Sequence, residues 1–425
     1  MRYAAGARTT VCRCAGTSVI LSRLPSDRRG AVVTTEHVLG ETILAAPAPV
    51  AAGNPELSTA PVLSAESKAR IVAALEQRHS PSTARNYRQD WEKFTAWCSA
   101  HGHISIPAHP AVVADYLTEC ADLRTETGER AYSMNTLARW VASINYWHRA
   151  VDHRAPGEYQ LVKDTISGLR RTYAAAGDRP VKRVAPLELA EIEHIVTTLR
   201  AEANTWQSRT RERRDSALLL LGFLGAFRRS ELSDLQIRDV TIHSSDGLHM
   251  RVRRSKTDQT GHGLIKAAPV ALTHTVCGPC AYRRWLDVIA AHQAAGRPGI
   301  IRLLRTDDNP TGHVCHLPHP QLTDIDVPVF RPIRVNGNLG DTALSGQAIH
   351  AVYRRAAHAG GLSPAKIAQL GGHSVRAGFV TEALRNGAQP HEIQRQTGHA
   401  SPVTVGIYAR EHNPLTGNAV TRFAR

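Results

Sequence analysis

Between His373 and Tyr408 the chain reads HSVRAGFVTEALRNGAQPHEIQRQTGHASPVTVGIY, which puts an H-x-x-R pair, a second histidine at 399 and a lone tyrosine on one short run. Arginine offers a planar fork of donors that matches a phosphate, histidines donate hydrogen bonds or shuttle protons, and a tyrosine oxygen can form a covalent phosphoester. The chemistry this predicts is an anion site with a nucleophile beside it. Taken singly, His373 reads rather as a helix cap, His399 as a turn residue and Tyr408 as a half-buried aromatic. Further basic groups stand upstream: Arg228 in GAFRRSEL, with Glu231 three residues on, and Lys256 in KTDQTGHG.

The elements that must position these groups follow from spacing. Val380, Ala383 and Leu384 continue a helix after Arg376, Gly387 stops it, and Ile393 starts a second short helix before the Gly398-His399 turn. Upstream, helices are expected over 186–202 and 214–227. Strands follow at Val240 to His243, at Leu248 to Ser255 and at Leu264 to Leu272, making a small antiparallel meander with Lys256 near a strand end. A helix from Cys277 runs to the Gly296-Arg-Pro break, a loop-rich stretch with a short strand at Val327 to Phe330 follows, and Ser345 starts another helix.

The chain has 425 residues and carries 52 Lys+Arg against 37 Asp+Glu, a net charge of +15 that points to a polyanionic partner. Its seven cysteines (12, 14, 98, 120, 277, 280 and 315) are irregularly spaced, which argues against a disulfide framework and for a reducing compartment. The longest apolar run, Ala217 to Phe227, falls far short of the ~20 residues of a membrane helix. A soluble protein of the cytoplasm is expected.

Residues 1–63 lack sustained periodicity and read as a disordered extension rather than a targeting signal. From 64 to 176 the pattern is helical. Ser80-Pro81 caps a helix carrying Tyr87, Trp91, Phe94 and Trp97; Pro110 starts one with Val113, Tyr116, Leu117 and Cys120; a third carries Leu137, Trp140, Val141, Ile144, Trp147 and Val151. The aromatic stripe reads as core packing rather than base stacking. Arg85, Arg88, Lys93, Arg139 and Arg149 lie between the apolar positions, where they serve either phosphate contacts or a solvated face. Residues 177–186 read as a linker, 187–410 as a second domain and 411–425 as a tail.

The order Arg228, Lys256, His373, Arg376, His399, Tyr408 resembles the active-site series of the tyrosine recombinases of the phage-integrase family. GAFRRSEL is similar to that family's first-arginine box, HSVRAGF to its H-x-x-R box and TGHASPVTVGIY to its histidine and nucleophile box. The resemblance covers about Ser64 to Arg410 and implies a mainly α fold with a small antiparallel sheet. It implies a two-domain DNA clamp, with a SAM-like helical core-binding domain and a mixed α/β catalytic domain. On that resemblance Tyr408 is the nucleophile, Arg228 and Arg376 clamp the scissile phosphate, Lys256 protonates the leaving oxygen, and His373 accepts the tyrosine proton. His399 bonds the phosphate, and Glu231 orients these groups. It also implies site-specific recombination without ATP, metal or another cofactor, on double-stranded DNA with paired half-sites, by a homotetramer at the nucleoid that works with or without accessory proteins. Two rivals are a type IB topoisomerase and a DNA-binding protein that never cuts. Two features depart from the family's pattern without removing a catalytic group: Ala377 stands where many relatives carry a histidine, and Arg229 where an apolar residue is common. Cys277 and Cys280 could form half of a zinc site completed from His313, Cys315, His316 or His319. Irregular ligand spacing in that second half favours buried cysteines instead.

Overall fold

In the computed structural model Ser80 caps a helix at Pro81, its Oγ accepting from the Thr83 amide at 3.3 Å. Serine ahead of a first-turn proline is a strong start signal, because proline lacks the amide that would need a partner there. The structure describes residues 13–14, 17–18, 64–76, 78–179, 184–243, 245–254, 263–306, 311–399, 415 and 418–423. The chain divides into two compact units, residues 1–182 and 183–425. The fold is mainly α-helical, with a three-stranded antiparallel sheet among the described residues of the second unit. Among the described residues no helix is long and apolar enough to cross a membrane.

The first unit holds a two-residue antiparallel pair, Arg13–Cys14 with Thr17–Ser18, and then helices α1 (Ala65–Glu76), α2 (Pro81–His101), α3 (Pro110–Asp122), α4 (Met134–Ala150) and α5 (Gln160–Ala176). Trp91, Phe94, Tyr116, Leu117, Trp140, Ile144 and Trp147 are buried together. Trp91 stacks on Trp147 and Tyr116 on Trp140, so these aromatics build the core. Helix α5, which the sequence reading did not single out, adds Val162 and Tyr173 to it. Arg139 is held by the buried Asp90 through two bonds of 2.8 and 2.9 Å, and Arg149 by Glu158. Arg85 and Arg88 lie exposed on α2.

The second unit starts with α6 (Leu189–Glu202), α7 (Trp206–Leu224) and α8 (Arg229–Asp234), continues through β1 (Val240–His243), β2 (Gly247–Val252) and β3 (Leu264–Ala268), and returns to helix in α9 (Gly278–Thr306), α10 (Gly346–Ala359), α11 (Pro364–Gln369), α12 (Ser374–Arg385) and α13 (Pro390–Thr397). The strands pair in the order β1-β2-β3, with Val240 opposite Met250 and Val252 opposite Leu264. The expected meander is therefore present, though β3 ends at Ala268 because Pro269 cannot extend the ladder. The strand expected at Val327 to Phe330 is a single bridge, Gln236 with Pro328, flanked by bonds from the Ile237 amide to Val327 and from the Val329 amide to Leu235. Pro328 has no amide to continue it. Helix α9 bends at Ala295 and Gly296 and resumes to Thr306, so residues expected in a loop after the Gly296 break are helical. Helix α13 starts at Pro390, three residues before the expected Ile393.

Helix α7 begins eight residues before the expected Arg214, under a cap made by Thr205 and Ser208. The charged run RTRERRD conceals it in the sequence, because those charges pair inside the fold. Glu212 takes two bonds from Arg284 of α9 (2.9 and 3.1 Å), one from Arg200 of α6 (3.3 Å) and one from Ser216 (2.9 Å). One carboxylate thus ties three buried helices. Glu212→Ala is expected to lower stability by about 3–5 kcal/mol, since it removes the anion that balances two buried guanidiniums. Urea denaturation of the two proteins checks this, and equal midpoints would refute it.

Candidate active site

Helix α12 brings the H-x-x-R pair into place. His373 is its N-cap residue, exposed, and Arg376 sits in the first turn with 2% of its surface exposed. The helix lies against residues 185–187, where the Ala185 amide bonds Gln369 and the Leu187 amide bonds Ser374. A Cβ on Gly378 would stand 1.8 Å from the Leu187 carbonyl oxygen, so glycine is required for this approach. Arg376 Nη1 then reaches the Ala226 carbonyl at 2.6 Å.

Ala226 belongs to the tight Gly225–Arg228 turn between α7 and α8 and has a positive φ of 45°, a conformation costly to a residue with a Cβ. That conformation aims its carbonyl at the pocket. Arg228 ends the turn and caps α8. Its Nη1 donates to Glu231 Oε1 at 2.6 Å, its amide donates to Oε2 at 3.0 Å, and its Nη2 donates to the Gly398 carbonyl at 3.3 Å. Gly398, left-handed at the end of α13, carries the chain into half-buried His399, whose Nδ1 lies 3.0 Å from Thr397 Oγ1. Arg228, Arg376, His399 and Glu231 therefore converge from α8, α12 and the end of α13. His373, although beside them in the chain, is exposed at the start of α12.

Lys256 and Tyr408 lie outside the described residues. In the sequence Lys256 falls between β2 and β3, and Tyr408 follows His399 by nine residues.

Lys266 of β3, which no sequence motif announces, also belongs to this pocket. It is fully buried, and its Nζ donates to the carbonyls of Gly225 (2.8 Å), Gln396 (2.9 Å) and Ala226 (3.4 Å), with Glu231 at 3.6 Å. Three carbonyl acceptors use all three N–H groups of an ammonium. Alternation carried the missed signal: Leu264, Lys266 and Ala268 share one face of β3, so a lysine occupies a core position.

Arg228 and Arg376, with Lys266 beside them, outweigh the single Glu231 carboxylate, so the pocket is cationic. Burial, opposed by Glu231 and reinforced by Arg376 and Arg228, pulls Lys266 down to about 7. Burial and the cations Arg376, Arg228 and Lys266 bring His399 to about 4, so near neutral pH it is an uncharged hydrogen-bonding group. An anion in the pocket favours the charged lysine, so its binding takes up protons. Affinity for a phosphate-bearing ligand therefore rises as pH falls from 8 toward 6, by at most about tenfold per pH unit for one linked proton. Lys266→Met is expected to flatten that dependence. Binding of a labelled phosphodiester probe, a short DNA duplex, followed by fluorescence anisotropy across this pH range checks it, and an unchanged slope in the variant would remove Lys266 from the linkage.

Cys277 and Cys280 lie at the start of α9, away from the residues just described in the sequence, and are buried with Cys315.

Residues 338–413, which include Arg376, His399 and Tyr408, match the model of the phage integrase family. The chain is 29% identical over 353 residues to an integrase/recombinase XerD homolog of Selenomonas ruminantium, covering 82% of this chain and 87% of that one. It is 22% identical over 335 residues to the recombinase Cre of Escherichia phage P1, covering 77% and 83%. Its fold is similar to the crystal structure of the XerH site-specific recombinase bound to a palindromic difH substrate in a post-cleavage complex. That match has a TM-score of 0.51 and 16% identity, over 84% of this chain and 85% of that one.

Proposed function

We propose that this chain, whose residues 338–413 match the phage integrase family and which is similar along most of its length to two recombinases, is a member of that family and a site-specific DNA recombinase that cleaves and rejoins strands through a 3′-phosphotyrosyl intermediate at Tyr408. The observation that carries this reading is the cationic pocket, in which Arg228, Arg376 and His399 face one place and their orientation is fixed by Glu231, Lys266 and backbone carbonyls. Two guanidiniums held in advance suit the two non-bridging oxygens of a phosphodiester, whose charge grows as the pentacoordinate transition state forms.

In the first step the Tyr408 oxygen bonds to phosphorus as the bond from phosphorus to the 5′-oxygen breaks. His373 accepts the tyrosine proton, and Lys256 supplies one to the departing oxygen. His399 donates a hydrogen bond to the phosphate. The new ester keeps the energy of the phosphodiester, so attack by another strand's 5′-hydroxyl reseals DNA without ATP. Glu231 and Lys266 are positioning residues, acting through Arg228 and the Ala226 turn.

The partner is double-stranded DNA with paired half-sites, met in the cytoplasm at the nucleoid. Exchange between two duplexes needs four active sites, and a homotetramer on paired sites supplies them. The tail suits such an assembly: Leu415, Val420 and Phe423 are 59%, 49% and 80% exposed, an apolar set too small to make a core of its own. In this reading it packs on a neighbouring subunit.

A duplex nicked beside the scissile phosphate tests the proposal, because loss of the short 5′ fragment traps the intermediate. A covalent protein–DNA adduct resistant to denaturant is expected at the cognate site, and its sedimentation with paired sites should give four chains. Binding without any adduct would favour a non-cutting DNA-binding protein. An adduct with relaxation of supercoils but no exchange between duplexes would favour a topoisomerase.

A further inference from the structure

We propose that Cys277, Cys280, His313 and Cys315 bind one structural zinc ion. The Sγ atoms of the three cysteines and a ring nitrogen of the histidine all lie within 4.8 Å of one another. Tetrahedral zinc, with Zn–S about 2.3 Å and Zn–N about 2.0 Å, sets edges of ~3.8 Å between sulfurs and ~3.5 Å between sulfur and nitrogen. The observed 3.3 Å from Cys280 Sγ to His313 Nδ1 is such an edge, and small movements would bring the remaining groups onto the others.

Three features beyond proximity point to a metal. The first is the histidine's orientation: Nε2 lies 3.4 Å from the Leu272 carbonyl, which can only accept, so Nε2 carries the proton and Nδ1 presents its lone pair to the sulfurs. A ligand nitrogen aimed at the site with the other nitrogen tied to a carbonyl is the usual second-shell arrangement around zinc. The second is a backbone donor to sulfur, the Val314 amide to Cys280 Sγ at 3.4 Å, which suits a thiolate. The third is location. All three cysteines are buried, and Ala271 and Val314 pack over them, so four protein ligands close the site and leave no place for a substrate.

The spacing that argued against zinc in the sequence, C-x-x-C followed far downstream by H-x-C, is no obstacle once the elements are folded. Cys277 precedes the first turn of α9 and Cys280 lies within it, so the first pair is set by helix geometry. The second pair comes from the described residues 311–345 ahead of α10, whose backbone is irregular apart from isolated bridges. The ion would fasten that stretch to α9 and, through His313, to the segment that follows β3, the strand carrying Lys266. On binding, zinc displaces the three thiol protons and the complex keeps one net negative charge.

Full-length protein, purified under reducing conditions with any affinity tag removed and no chelator, should contain one zinc per chain by mass spectrometry of the elements. Cys280→Ser and Cys315→Ser should lose it, while His316→Ala should keep it. Should the cysteine variants fail to fold, the wild-type protein still decides. Cobalt exchanged into it should show the charge-transfer and d–d bands of tetrahedral thiolate coordination, and an organomercurial should release zinc as thiols are titrated. Folded wild-type protein with no zinc and freely reacting thiols, with a Cys277–Cys280 disulfide, or with iron in place of zinc would overturn the assignment.

Discussion

Tyr408→Phe is expected to abolish the covalent protein–DNA adduct on a nicked duplex while leaving DNA binding intact. The substitution keeps the ring and deletes only the oxygen that would attack phosphorus, so the loss should be complete rather than partial. Elimination strengthens the assignment. The second unit contains three tyrosines, at 282, 353 and 408. Tyr282 and Tyr353 are 1% and 2% exposed, and burial pushes the ionisation of both hydroxyls well up, which is the wrong direction for a nucleophile. Neither can reach a duplex without unfolding its surroundings. Adduct yield after denaturing electrophoresis is the measurement. A variant with an undiminished yield would sink the assignment, and mapping of its phosphotyrosyl peptide would show which residue replaced it.

Arg228, Arg376 and His399, the three predicted catalytic residues that the described residues bring together, were legible in the sequence because strong local signals place them. His373 and Arg376 sit at a helix start, with Gly387 just past the helix end, and Gly398 takes the left-handed conformation that closes α13. What was hidden depends on side chains acting against their type. Lys266 reads as a surface residue until β3 is seen to turn it inward, and Glu212 with Arg200 and Arg284 reads as a solvated face until the charges are found paired in the interior. Ala226 gives no warning at all, because alanine is not the residue expected at a positive φ. The four zinc-ligand candidates are separated by a kinked helix, so only the fold brings them together. In each case the long-range partner, which no window of sequence contains, determines the role.

Arg376→Ala is expected to slow single-turnover cleavage by roughly 10³-fold or more, as losses of phosphoryl-clamping arginines do. The reason is geometric as much as electrostatic. Arg376 is 2% exposed and held by the Ala226 carbonyl, so it meets the developing charge with little reorganisation, in a pocket where water screens weakly. Arg376→Lys keeps a charge but loses the planar fork, and it should recover only part of the rate. Arg228→Ala gives a less direct reading of the same chemistry. Glu231 is bonded by Arg228 and sits near Lys266, so deleting Arg228 also unbalances a buried carboxylate and lowers stability by about 3–5 kcal/mol. Comparing the two arginines separates transition-state stabilisation from support of the fold. Arg376→Ala should lose rate with DNA affinity and urea midpoint nearly kept, whereas Arg228→Ala should lose rate and midpoint together. A cleavage rate for Arg376→Ala within about tenfold of wild type would mean that this arginine contributes less than ~1.4 kcal/mol to the transition state, too little for a phosphate clamp.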